Sequence, residues 1–210
     1  MLNLSCPKDN KKPVKIAFIT EFFPKLSETF ILNQITGLID RGHDVDIFAS
    51  TPGSDKVHHP DIDTYDLIKH TYYKDGSKDF PHNKTVRIIE AINILRKHRA
   101  GGRRSLLKSL NLFKYGKKAI SLSLFYSVAP FLKNYDILHC HFARNSNFGI
   151  LLKELGVKGK LVTTFHGFDT RLVIKNGSEV YRALFDMGDL FLAASDYNLK
   201  NLINFGVKKR

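Results

Sequence analysis

The chain has 210 residues, 43% of them hydrophobic and 11% aromatic, which is enough to bury the core of one domain or one and a half and too apolar for a disordered segment. A formal net charge of +13 speaks of partners rather than of fold. Two distant cysteines, Cys6 and Cys140, give no disulfide framework and no CxxC metal pair, and they suit a reducing compartment; no apolar run approaches the roughly 20 residues of a membrane-spanning helix.

In chain order, residues 1–13 read as a loose lead-in without the long apolar core of a signal peptide. "VKIAFIT" (14–20) has the length and composition of a strand. A helix over 29–42 follows, with Ile31, Ile35, Leu38 and Ile39 at helical spacing, Ser27 or Thr29 as its cap and Gly42 at its left-handed end. "DVDIFAS" (44–50) is the next strand. Residues 52–82 read as loop with one short strand near 68–73, and 83–98 and 103–133 as basic helices. Strands at 135–141, 160–166 and 189–195 then alternate with helices at 146–156, 178–187 and 196–205, where Ser195 and Asp196 have the chemistry of an N-cap and a first-turn acid. This alternation predicts an α/β, Rossmann-like doubly wound parallel sheet.

In such a sheet, ligands bind beyond the carboxyl ends of the strands. The first such junction, "TEFFPKLSETF" (20–30), has no glycine, which removes the support for a nicotinamide dehydrogenase. Ser27, Glu28 and Thr29 remain there as candidates for an anion or a sugar hydroxyl, or simply as helix caps. At "HCHFARNSN" (139–147), alternation puts His139 and His141 on one side. A third ligand at usable spacing is missing, so no metal is expected. His141 is expected to line the crevice, His139 to be packed or hydrogen-bonded, and Arg144 to place a charge near a phosphate. "TTFHGFDT" (163–170) ends a strand with His166, Gly167 and Asp169. Gly167 leaves the backbone open to a ligand. Asp169 can accept from a hydroxyl, orient His166 or cap the next turn.

Charge is unevenly placed as well. No acidic residue stands between Glu90 and Asp136, an interval that contains the basic stretch 96–118. That stretch is either a solvated helical face or a surface for anionic lipid head groups or an anionic substrate. No nucleic-acid-binding signature accompanies it, and no nucleic-acid partner is expected.

Four segments, "FPKLSETFILNQITGLIDRGHDVDIFA" (23–49), "DILHCHFARNSN" (136–147), "TTFHGFD" (163–169) and "ASDYNLKNLINFGV" (194–207), stand in order over nearly the whole chain. Together they resemble the N-terminal domain of family-4 glycosyltransferases, the retaining GT-B type, and within it the branch that builds exopolysaccharide and colanic-acid-type units. The resemblance implies that 14–210 is the acceptor-side half of a GT-B fold, with a C-terminal donor domain absent. It implies a hexosyltransferase-type, metal-independent activity that needs no cofactor beyond the nucleotide-sugar co-substrate and acts on a saccharide or lipid-linked acceptor. The chain alone is expected to be inactive. His166 would reach the transferred sugar, Asp169 would occupy the motif's acid position, and Ser27–Thr29 would face the donor diphosphate. The expected location is the cytoplasm, at the inner face of the membrane, with 96–118 on anionic lipid. The rival reading is a non-catalytic α/β module that binds a phosphorylated glycan or anionic lipid.

Overall fold

The computed structural model describes residues 12–55, 57–73 and 80–207. Most of the predicted lead-in, residues 1–11, lies outside that range. Six strands, β1 (Lys15–Phe23), β2 (Asp44–Pro52), β3 (Thr71–Tyr73), β4 (Ile137–His141), β5 (Lys160–Phe165) and β6 (Leu190–Ala193), form one sheet in the order β3-β2-β1-β4-β5-β6. Every pairing is parallel. Chain order reverses between β1 and β4, so the crevice of a doubly wound sheet falls beyond the ends of these two strands.

The middle of the sheet is buried on both faces, which is why its central strands are continuous apolar runs. On β1, Ile16 and Phe18 turn towards α1 (Thr29–Asp40), where Ile31 and Ile35 meet Val45 and Ile47 of β2. Ala17 and Ile19 turn the other way, into a larger core with Leu138, Cys140, Leu161 and Phe165. Each fully buried side chain of the size of Ile35 or Leu152 contributes roughly 1.5–3 kcal/mol.

Several boundaries differ from expectation for local reasons. Neither Ser27 nor Thr29 caps α1; the N-cap position is Glu28, which makes no side-chain cap hydrogen bond. Gly42 does take the left-handed conformation, with φ 85°. Between β2 and β3 the described residues form a short helix, α2 (Asp61–Thr64), and a 3-10 turn at Leu67–His70. The basic helix α3 (Lys84–Lys97) is as predicted, but the expected helix over 103–133 is broken into α4 (Ala100–Ser109), α5 (Leu112–Tyr115), α6 (Lys117–Ile120), α7 (Ser123–Val128) and a 3-10 turn at Ala129–Lys133. The breaks have causes. The Asn111 side chain caps α5 by accepting from the Lys114 N–H at 3.1 Å, Gly116 has φ 50°, and Pro130 begins the last turn.

α8 (Ser146–Leu155) and α11 (Asp196–Asn204) match expectation, and the Ser195 hydroxyl caps α11 by accepting from the Asn198 N–H at 3.2 Å. The helix predicted at 178–187 is a 3-10 turn followed by α10 (Arg182–Met187). α9 (Gly167–Asn176) was not predicted at all. Its buried residues are Asp169, Thr170 and Val173, so its inner side is largely polar and shows no apolar period.

α8 lies close on the sheet through Gly149. A Cβ there would sit 2.6 Å from Leu161 Cδ1 and 3.1 Å from Cys140 Sγ. Gly149→Val is therefore expected to overpack this seam and lower stability by about 1–3 kcal/mol, read as a lower urea midpoint. An unchanged midpoint would show that helix and sheet have slack.

Candidate functional site

The end of β5 and the start of α9 form a tightly built corner. His166 is the N-cap of α9, and its backbone N–H donates to Asp169 Oδ2 at 2.9 Å. The Tyr181 hydroxyl donates to the other carboxylate oxygen at 3.3 Å, and the Ala143 backbone N–H also bonds this carboxylate. Asp169 is 0% exposed. It therefore ties the β5–α9 corner to the β4–α8 corner and does not reach the surface. Burial pushes its carboxyl above the ordinary value, against the pull of the His166 and Ala143 N–H groups, the Tyr181 hydroxyl and the Arg144 charge.

Beneath His166 lies a stack of rings. His139 and His141 share one side of β4, with centroids 4.7 Å apart, and Phe18 lies 4.9 Å from the first and 5.6 Å from the second. His139 is packed and hydrogen-bonded, as expected, with Nε2 2.8 Å from Thr164 Oγ1. His141 does not line a crevice: it is 2% exposed, and its Nδ1 lies 3.3 Å from His166 Nε2. A ligand would therefore feel His141 through His166. Burial drives all three rings towards the neutral form. Burial and the neighbouring imidazoles bring His139 down to about 4 and His141 to about 2, and burial lowers His166.

Two aromatic residues absent from the sequence reading complete the corner. The Phe142 ring lies 4.3 Å from His166, on a backbone with φ 63° and ψ 129° that costs a non-glycine residue about 1–3 kcal/mol. Phe30, half-exposed, lies 4.9 Å from His166. Because Phe30 follows Ser27–Thr29, the first junction reaches His166 through that ring. Ser27 and Thr29 are exposed there, while Glu28 is held aside by Lys25 at 2.9 Å. Gly167 is exposed, and a Cβ on it would meet no atom within 4 Å. The fold does not require glycine at this position, which leaves bare backbone at the start of a ten-residue helix.

A large concavity lies next door. A cleft of about 970 Å³ opens beyond the ends of β1, β2 and β4, under α3 and α7. Phe48, Tyr72, Tyr126 and Phe148 give it aromatic walls, and Asn93, Asn145, Asn147 and Lys97 give it polar ones. His166 is outside it. Arg144 joins the two places: it lines the cleft, pairs with Glu21 at 3.2 Å, and its charge acts on Asp169 and Tyr181. The buried hydroxyl of Thr20, also at the cleft, has no hydrogen-bond partner among the described residues. Among the described residues, no group of three or more His, Cys, Asp or Glu could hold a metal ion.

Comparison with known proteins gives one consistent answer. The model of Glycosyltransferase Family 4 matches residues 27–210. The chain is 35% identical over 192 residues to a protein of Salmonella typhimurium named as a colanic acid biosynthesis glycosyltransferase, covering 87% of this chain and 45% of that one. It is 36% identical over 204 residues to an amylovoran biosynthesis glycosyltransferase of Erwinia amylovora, covering 92% and 48%, and 34% identical over 196 residues to the Escherichia coli protein of colanic acid biosynthesis, covering 87% and 45%. The chain thus spans about half the length of the curated relatives it matches. With the parallel doubly wound sheet and a cleft at its switch point, this match shows that the chain belongs to glycosyltransferase family 4.

Proposed function

We propose that this chain forms the acceptor-side part of an enzyme that moves a sugar from a nucleotide sugar to a hydroxyl of a saccharide acceptor, with retention and without a metal, in surface polysaccharide assembly. The observation that carries this reading is an aromatic and amide-lined cleft beside the His166 corner, with Arg144 lining the cleft and its charge acting on Asp169 of that corner. Flat aromatic walls suit the apolar faces of sugar rings, and amides suit their hydroxyls. The acceptor, lipid-linked in this reading, lies in the cleft.

The donor's sugar and diphosphate lie at the corner. A neutral His166 hydrogen-bonds the transferred sugar at its accessible nitrogen, and Asp169 positions that ring through the corner backbone. Departure of the diphosphate builds negative charge, which Arg144 and the N-terminal N–H groups of α9 offset. The Ser27 and Thr29 hydroxyls border the same space. The nucleotide sugar is a co-substrate, and no cofactor enters the scheme.

Saturation-transfer NMR on the 210-residue chain tests the cleft. Saccharide acceptor fragments are expected to bind. Asn93→Ala or Lys97→Ala should weaken them about five- to tenfold, the scale of one or two lost hydrogen bonds, with thermal stability unchanged because both side chains are exposed. Failure of any saccharide to bind, or full binding by both variants, would remove the cleft from the reaction.

A further inference from the structure

The outer side of α3 is apolar where a solvated helix is polar. Ile88, Ile89 and Ile92 are 55%, 54% and 42% exposed, and their i, i+3 and i+4 spacing puts them on one side. The other side turns inward. Ile94 packs on the core, and Arg87 is fixed by bonds from its guanidinium to the carbonyls of Pro81 and Ser121. The Ser121 bond brings the end of α6, with exposed Ile120, against the first half of α3. α5 packs on α6 and exposes Leu112 and a fully exposed Phe113.

In sequence these apolar residues are interleaved with and followed by exposed Arg96, Arg99, Arg104, Lys108, Lys117 and Lys118, and no acidic residue occurs between Glu90 and Asp136. Apolar side chains flanked by cations on a surface helix have the chemistry of an element that lies in a lipid interface. We propose that this side of the molecule docks on an anionic bilayer, with the α3 isoleucines in the headgroup–acyl boundary and the 96–118 cations on lipid phosphates.

Charge complementarity selects this occupant. Two copies of a +13 chain meeting through their most basic side would repel each other. A nucleic acid would engage the cations and leave the isoleucines in water. The orientation also has a consequence for the cleft. Glu90, Asn93 and Lys97 line it from the side of α3 next to the isoleucine row, so a flat α3 opens the cleft at headgroup level. The surface stands independently of the transfer reading, and a chain that binds vesicles without binding saccharide would separate the two.

The test is flotation of the 210-residue chain with vesicles of phosphatidylcholine, with or without phosphatidylglycerol. Binding is expected only with the anionic lipid and should weaken with salt. The triple variant Ile88→Ser/Ile89→Ser/Ile92→Ser and the pair Arg103→Glu/Arg104→Glu should each cut the bound fraction about tenfold. All five positions are exposed, and unchanged thermal melts will confirm folding. The chain has no tryptophan, so Ile89→Trp is a clean reporter whose emission should shift to the blue on anionic vesicles alone. No flotation, flotation that survives the triple serine change, or a tryptophan that stays in water would overturn the proposal. So would a dimer in the absence of lipid that the serine changes dissolve, since it would assign the surface to a second copy.

Discussion

In a form joined to a donor domain, His166→Ala is expected to slow sugar transfer about a hundredfold, the usual scale for one positioned polar group at a developing charge, while the affinity for the saccharide acceptor stays the same. The split follows from the geometry, because His166 lies at the start of α9, outside the walls of the cleft proposed for the acceptor. The measurement is kcat for transfer from a nucleotide sugar, set against acceptor binding by NMR. Asp169→Asn gives a different pattern. The amide keeps one acceptor for the His166 N–H but weakens the bonds from Ala143 and Tyr181. Thermal stability should fall, and kcat should fall about tenfold through misplacement of His166. Asp169, fully buried and out of reach of a sugar hydroxyl, would act by positioning the ring. Near-normal transfer by His166→Ala would remove that ring from the mechanism, and normal stability in Asp169→Asn would remove the clamp.

The parts of the fold legible in the sequence are those whose burial is uniform. β1, β2, β4 and β5 are covered on both faces, so each is a plain apolar run and its end can be located to within a few residues. That is why the strand end before His166 could be located, and the carboxyl end of a parallel strand is where such sheets bind ligands. α9 was hidden because its inner residues make hydrogen bonds instead of apolar contacts, as Thr170 does with Asn198 at 2.9 Å. His141 was placed on the correct side of β4, but that side faces Phe18 and α1, so its ring is entombed instead of open to the crevice. The cleft was not legible. Its walls run from Ile19 to Phe148 and are brought together only by the crossovers, and no local pattern encodes a concavity of that kind. Phe142 carries its signal in a backbone angle, which a sequence does not display.

The histidine stack should make the chain acid-labile well above the range in which carboxylates titrate. The folded-state values of His139 and His141, about 4 and about 2, lie below the ordinary value of 6.5. Well above pH 6.5 both rings are neutral whether the chain is folded or unfolded, and they give stability no pH slope. Below pH 6.5 the unfolded chain takes up protons that the folded chain refuses, so stability falls by up to about 1.4 kcal/mol per pH unit for each ring. Between pH 6.5 and 4.5 the two together are expected to remove about 3–5 kcal/mol, a large part of the stability of an ordinary domain. Asp169 acts in the opposite sense, because a raised folded-state value lets the native state gain a proton first and regain some stability at the acid end. Urea midpoints across this range measure the slope, and His139→Gln/His141→Gln supplies the control. Loss of two packed rings lowers the variant's midpoint at pH 8, but its curve from pH 6.5 to 4.5 should be flatter by the two missing protons. A variant curve parallel to the wild type would show that these rings accept protons in the folded state. Burial lowers His166 too, so any break that its titration puts into a transfer rate corrected for the folded fraction should fall below pH 6.5.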